Sequence, residues 1–359
     1  MTHEETKLFG HGSLPWLLED DPANPGVRYF ALPQLLGKPA DDPEVLRARR
    51  AVMSTGPVPA ILEAQEAEGY WLKPGPGYFP QYRGTVWAVA MLGQLGADGA
   101  DPQVRRGCQY VLEHAVDKNG AFSMSAIPSQ AILCLNGHLL AALLDLGWLG
   151  DSRVHRALEW VARMVTGEGV ALAAEKETPL RYLKSGTCGP GFCCGFNAKK
   201  PCAWGAVNVL LAFSKLPQDA RTPLIQRAID TGLEFLLSKD PAVADYPMGH
   251  STKPSRNWFR FGFPLFWVTD VLQNLAVLTS FGYASDPRLS AAMDFVFSKQ
   301  DKQGRWNMEH SYNGKTLVDI EEQGKPSKWV TLRALRVLKH RDQPCVQHHP
   351  PPGQPGASG

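Results

Sequence analysis

Apolar positions recur at helical spacing along most of the chain, and two kinds of helix alternate. In the first kind they run nearly all the way round: Pro128–Leu146 carries Ile132, Leu133, Leu135, Leu139, Leu140, Leu143 and Leu144. A helix apolar on every side is buried on every side. Gly84–Leu95, Pro201–Leu216, Pro264–Phe281 and Pro326–Lys339 are further apolar helices. The second kind is amphipathic: Pro102–His114 keeps Arg105 and Arg106 on a polar face, and Pro223–Ser238 keeps Gln226, Arg227 and Asp230 there. Helices of this kind share a start signal, seen at Asp42-Pro43, Asp101-Pro102, Asp151-Ser152, Thr222-Pro223 and Asp286-Pro287. An Asp or Thr side chain accepts a free amide of the first turn, and Pro has no amide to leave unpaired there. These signals predict helices over Pro43–Ser54, Pro102–His114, Ser152–Val165, Pro223–Ser238 and Pro287–Lys299. Val27–Leu36 and Pro57–Gln65 bring the count to about twelve. Buried helices alternating with amphipathic ones predict two concentric layers: an all-α fold, an α/α toroid of about six helical hairpins.

A second echo marks the turns. Gln65-x3-Gly69-x-Trp71 and Gln300-x3-Gly304-x-Trp306 share one pattern, and Asp117-x2-Gly120-x-Phe122 is a weaker copy. Gly permits the left-handed turn after a helix, and the aromatic that follows can pack across the repeat. The repeats place the toroid over residues 27–340, with 1–26 an N-terminal extension and 341–359 a disordered tail. The 37 Lys and Arg against 35 Asp and Glu leave a net charge of only +2, which argues against a nucleic-acid partner. Apolar runs such as Leu139–Leu144 are too short to cross a bilayer, so no integral membrane segment is expected. The first thirty residues lack a basic stretch followed by an apolar one, so a cytoplasmic protein is expected. Seven cysteines, an odd number in a long chain, read as free thiols.

The two Gln-x3-Gly-x-Trp turns resemble those of the terpenoid-cyclase and protein-prenyltransferase superfamily. Over about residues 40–340 the repeat style is similar to bacterial proteins containing prenyltransferase and squalene-oxidase repeats. The resemblance implies an α/α toroid whose central cavity takes a small apolar molecule of isoprenoid type. The Asp-x-Asp-Asp motif of class II cyclases does not occur; Asp20-Asp21 and Asp41-Asp42 sit in turns or at helix starts. In prenyltransferases an Asp two residues before a Cys binds zinc, whereas Lys200 precedes Cys202 here, so neither metal nor cofactor is expected.

Three residues are the candidate catalytic groups. Asp270 lies in the apolar segment Pro264–Phe281 with Asn274 four residues on, on the same helix face. A carboxyl in an apolar cavity holds its proton at neutral pH and can protonate an alkene or alcohol, whereas a structural Asp would cap or cross-link helices. His138 lies in a buried helix near Cys134 and Asn136. Cys202 closes the run Cys188-x4-Cys193-Cys194-x7-Cys202, whose spacing matches no common structural zinc site. Beside it, Lys199 and Lys200 would favour a reactive thiolate. Trp258, Arg260, Phe263, Phe266 and Trp267, with Asn274, Trp204 and Trp87, are the candidate substrate-binding residues. Aromatic faces stabilise cations in a desolvated pocket. The acidic loop at Asp319, Glu321 and Glu322 reads as a cavity mouth or plain surface. His-Glu-x2-His, phosphate-loop and nucleophile-elbow motifs are missing, and Gly189-x-Gly191 lacks the rest of a dinucleotide fingerprint. These readings lead to an enzyme that acts on an apolar, isoprenoid-type substrate by acid-initiated cyclisation, isomerisation or dehydration. The alternative is a non-catalytic binding or scaffold protein on the same fold.

Overall fold

All five predicted start signals act as caps. Asp42 accepts the Glu44 amide, Asp101 those of Gln103 and Val104, Asp151 that of Arg153, Thr222 that of Ile225 and Asp286 that of Arg288. The structure, a computed structural model, describes residues 12–172, 174–175, 177–179 and 183–339. Its helices are α1 (Ser13–Leu17), α2 (Pro25–Leu36), α3 (Pro43–Ser54), α4 (Pro57–Glu63), α5 (Thr85–Leu95), α6 (Pro102–His114) and α7 (Leu133–Asp145). They continue as α8 (Ser152–Thr166), α9 (Ala203–Ser214), α10 (Pro223–Leu237), α11 (Val271–Ser280), α12 (Ser290–Ser298) and α13 (Lys328–Lys339).

The inner ring is α2, α5, α7, α9, α11 and α13. Each of α5 to α11 packs on the next inner helix, and α13 returns to α2. The remaining gap, between α2 and α5, is closed where Gly26 lies against the Leu95 carbonyl. The amphipathic helices α3, α6, α8, α10 and α12 surround this ring, each against the inner helix of its own hairpin. The fold is the expected α/α toroid.

Glycines set how closely the inner helices approach. A Cβ on Gly26 would lie 2.4 Å from the Leu95 oxygen, one on Gly93 2.9 Å from the Ala142 Cα, and one on Gly137 2.4 Å from the Asn208 carbonyl carbon. The left-handed turns brace the rings. The Trp71 indole donates to the Ile61 carbonyl and the Trp306 indole to that of Val296, both at 2.7 Å. The amide following each turn donates to a side chain on the next inner helix. Trp71 donates to the Thr85 hydroxyl, Phe122 to the Asn136 carbonyl oxygen and Trp306 to the Thr331 hydroxyl. Gly69, Gly120 and Gly304 supply the positive φ, at 100°, 92° and 80°.

Several boundaries differ from expectation; among them, Pro287–Leu289 forms a 3-10 turn before α12. Residues 12–26 are not an appendage: Leu14 and Leu17 of α1 are buried in the common core, and Lys328 of α13 pairs with Glu19 and Asp21 at 3.1 and 3.2 Å. Pro128–Gln130 forms a separate 3-10 turn before α7. Helix α11 begins only at Val271, because the Asp270 carboxylate accepts the Gln273 amide at 2.7 Å and caps the helix there. The expected tail, 341–359, lies outside the described residues. Two-residue strands occur in the connections. β1 (Val170–Ala171) and β2 (Leu183–Lys184) pair in parallel. β3 (Cys188–Gly189), β4 (Cys193–Cys194) and β5 (Lys200–Pro201) form an antiparallel sheet over the start of α9. β6 (Trp306–Asn307) and β7 (Pro326–Ser327) pair antiparallel before α13. Among the described residues no helix is long and apolar enough to cross a membrane.

If the glycine contacts set the ring, Gly137→Ala must push α7 away from the α9 backbone. It should destabilise the protein by roughly 3 kcal/mol, read as a lower denaturant midpoint at unchanged slope. A wild-type midpoint would mean the ring tolerates wider spacing.

Candidate functional site

The bore of the toroid holds two cavities. The larger, about 440 Å³, opens at the N-terminal ends of α5, α7, α9 and α11. Tyr78 and Gln81 reach it from the segment before α5, and Ile132 and Cys134 from the start of α7. Cys202, Ala203 and Trp204 line it at the start of α9; Tyr246, Trp258 and Trp267 line it from the connection that precedes α11. Phe196 and His250, both exposed, stand at its rim. No Asp, Glu, Lys or Arg is among its lining residues. Its walls are supported from behind: the Trp87 indole donates to the Tyr78 carbonyl at 2.7 Å, and Asn274 donates to the Tyr246 hydroxyl at 3.0 Å. The Trp204 indole N–H is buried with no partner among the described residues.

Three thiols face this chamber: Cys134, Cys194 and Cys202. Burial pushes Cys134 up to about 12. Cys194 and Cys202 interact directly. A hydrogen bond from the Cys202 thiol favours the Cys194 thiolate, whose pKa is brought down to about 6, with the amides of Phe196 and Asn197 acting in the same direction. The same bond, together with burial, holds the proton on Cys202 and raises its pKa well above the ordinary thiol value.

The smaller cavity, about 170 Å³, lies toward the C-terminal ends of the inner helices and is lined by His138, Phe263, Phe266, Arg333 and Arg336, among others. Asp270 belongs to the structure around this cavity, not to the chamber. Arg333, which lines it, donates to both Asp270 carboxylate oxygens, at 3.0 and 2.7 Å, and to the Gly262 carbonyl at 2.6 Å. Both side chains are almost fully buried. Bonded to a guanidinium and capping a helix, Asp270 is placed as a brace outside the chamber, which does not support its reading as the acid of the site. His138 Nδ1 lies 2.9 Å from the Cys134 carbonyl, and its ring stacks on Trp87 at 5.5 Å. Since Nδ1 must carry the proton to make that bond, Nε2 is a bare acceptor, and it has no partner among the described residues. Burial pushes the pKa of His138 down to about 4. Burial also lowers Arg336, to about 10.

The predicted residues therefore divide. Cys202, Trp204, Trp258 and Trp267 meet in the chamber, while His138, Phe263 and Phe266 line the second cavity. Trp87 and Asn274 line neither and position residues that do. Arg260 is exposed, donating to the Glu309 carbonyl at 2.5 Å, and does not line the chamber. Glu321 is a helix cap rather than part of a mouth: it accepts the Lys328 amide at 2.7 Å and the Ser327 hydroxyl. Sequence reasoning missed Tyr78, Gln81 and Tyr246. The aromatic cluster Tyr78, Phe79 and Tyr82 just before an inner helix parallels Trp258 to Trp267 before α11, and that parallel was the available signal.

No protein-family model matches the chain, and no curated protein matches it. Among solved structures it is similar to a glycosyl hydrolase family 88 protein from Bacteroides vulgatus, with 9% identity and a TM-score of 0.50, over 94% of this chain and 98% of that one. A polysaccharide lyase aligns with 12% identity and a TM-score of 0.49, over 94% of this chain and 96% of that one. The type II terpene cyclase MstE from Scytonema aligns with 15% identity and a TM-score of 0.30, over 78% of this chain and 95% of that one. At 9% identity the likeness to the glycosyl hydrolase family 88 protein bears on the fold alone and leaves the chemistry to the site itself.

Two expectations follow. Asp270→Asn leaves the Arg333 guanidinium buried without its counter-charge and should cost roughly 3–5 kcal/mol of stability. It should leave ligand binding in the chamber intact wherever the variant is folded; loss of binding in a folded variant would return Asp270 to the site. His138 is neutral in the fold at pH values where the unfolded chain binds a proton, so stability is full above about 6.5 and falls as the pH drops toward about 4. His138→Phe, which keeps a ring against Trp87, should flatten that acid limb in denaturant titrations; an unchanged limb would place the titrating group elsewhere.

Proposed function

We propose that the chain is an enzyme that takes an apolar, isoprenoid-type molecule into the aromatic chamber at the N-terminal mouths of its inner helices. One observation carries the reading: a cavity of about 440 Å³, walled by Tyr78, Trp204, Tyr246, Trp258 and Trp267, has no charged side chain among its lining residues. Its volume falls within the range of about 300–1,000 Å³ usual for small-molecule sites. Such walls gain free energy by covering apolar surface and offer few polar partners, so they select hydrocarbon over sugar or phosphate. The terpene cyclase MstE takes geranylgeranyl dihydroxybenzoate as its substrate; the chamber walls, and not that likeness, carry the proposal for this chain.

Acid-initiated chemistry by Asp270 does not fit its pairing with Arg333. The groups positioned to react are the thiols, and they make the reading an enzymatic one. The second reading is binding without turnover, favoured by the lack of any carboxyl group in the lining.

Geranyl, farnesyl and geranylgeranyl alcohols and aldehydes should quench the intrinsic tryptophan fluorescence as they bind. Trp258→Ala should weaken binding about tenfold, the equivalent of about 1.4 kcal/mol. Product analysis of the bound compounds separates turnover from storage. A folded protein that binds none of the series would remove the proposal.

A further inference from the structure

The register of the small sheet sets up the thiol pair. Cys194 of β4 stands opposite Lys200 of β5. Alternation along a strand puts Cys202 on the same face as Lys200, so Cys194 and Cys202 are diagonal neighbours on one side, and both line the chamber. Cys202 is also the N-cap residue of α9, and Trp204, with its unpartnered indole N–H, follows within the first turn. The chamber thus joins a sulfur nucleophile and a neighbouring thiol inside walls without charged side chains. A thiolate is a soft nucleophile, and its soft electrophilic partner is a conjugated double bond.

Resting on the apolar-ligand reading above, we propose that Cys194 is the nucleophile of a site that interconverts the cis and trans forms of an apolar α,β-unsaturated carbonyl compound. The Cys194 thiolate adds to the β-carbon, forming a C–S bond. The π pair of the C=C bond moves to the carbonyl oxygen as an enolate. The former double bond is now single and rotates. The enolate pair then returns, the C–S bond breaks, and the C=C bond re-forms in the other geometry. Atoms and electrons balance with no oxidant, reductant or second substrate. Cys202 keeps its proton throughout and is a positioning residue, stabilising the thiolate before attack and after release. The lowered pKa of Cys194 is consistent with this assignment.

The probe is neral, the cis form of an isoprenoid enal, with its conversion to geranial followed by gas chromatography on the purified full chain. Wild-type protein should catalyse the conversion, and Cys194→Ala should reduce the rate by about 100-fold or more. Cys193→Ser, outside the chamber lining, should leave it unchanged. The rate should rise with pH through about 6 as the thiolate forms. Cys202→Ala should move that midpoint toward the ordinary thiol value of about 8.5, a shift that a merely structural role would not produce. An apolar maleimide should alkylate Cys194 ahead of the other cysteines, as read by peptide mass mapping; this arm serves also if the alanine variant does not fold. Neral that quenches the tryptophans yet is not isomerised, or is isomerised equally by folded Cys194→Ala, overturns the thiol assignment and leaves the chamber reading standing. Failure of every isoprenoid to bind takes both.

Discussion

Six apolar helices have to meet edge to edge around a closed ring, and that constraint organises the molecule. Of these, α5, α7 and α9 are hydrophobic on nearly every face, so none of them can border water without cost. The ring closes only because backbones approach closely at Gly26, Gly93 and Gly137, where a single methyl group would collide with the neighbouring helix. Once it is closed, helices of this diameter leave space along the axis that their own side chains fill only in part. The chamber and the smaller cavity are the remainder. A functional site here is therefore a consequence of closure, and the connections before the inner helices decide what lines it.

The inner helices run parallel in their hairpins, so their N-termini gather at one end of the bore and their C-termini at the other. The two ends differ electrostatically for that reason. The N-terminal end favours negative charge, and it is there that Cys202 caps α9 and Cys194 lies beside it. The C-terminal end favours cations, and Lys215 and Arg336 line the cavity there. Charge at that end is partly used internally: Lys215 pairs with Asp145 at 2.7 Å. The aromatic layer formed by Trp87, Phe266 and the His138 ring packs in the bore, with His138 bonded back to the carbonyl of Cys134, a chamber residue.

Much of this fold is legible in the sequence because its signals are local. An Asp or Thr cap at a helix start is a contact between residues two or three apart, and all five form. The Gln-x3-Gly-x-Trp turns are likewise local, and their tryptophans occupy equivalent positions ten residues after the carbonyls they bond. What local signals miss is pairing across the ring. Asp270 reads as an isolated acid because its partner, Arg333, is 63 residues away and on another inner helix. Its own cap bond also ends the helix that periodicity draws through it. The aromatic cluster before α5 marks the Tyr78 segment, but no local signal near Tyr78 or Tyr246 says that segments so far apart meet at one mouth.

The contrast between Asp270 and Cys194 explains why the chemistry of the chamber falls to sulfur. A carboxylate brought into this interior keeps its charge only by acquiring a cation and amide donors, which is what Arg333 and the α11 start supply, and in doing so it loses access to any ligand. A thiolate is larger and less strongly hydrated, and it is stabilised by weaker donors such as a neighbouring thiol and two turn amides. These leave one side of the sulfur toward the cavity and bring no other charge into it. An apolar ligand can then approach the reactive atom without stripping a salt bridge, and the same walls that recognise the hydrocarbon keep water from competing for the anion. Among the described lining residues, recognition and reactivity are compatible in the chamber because the thiolate carries its charge on the atom least costly to desolvate.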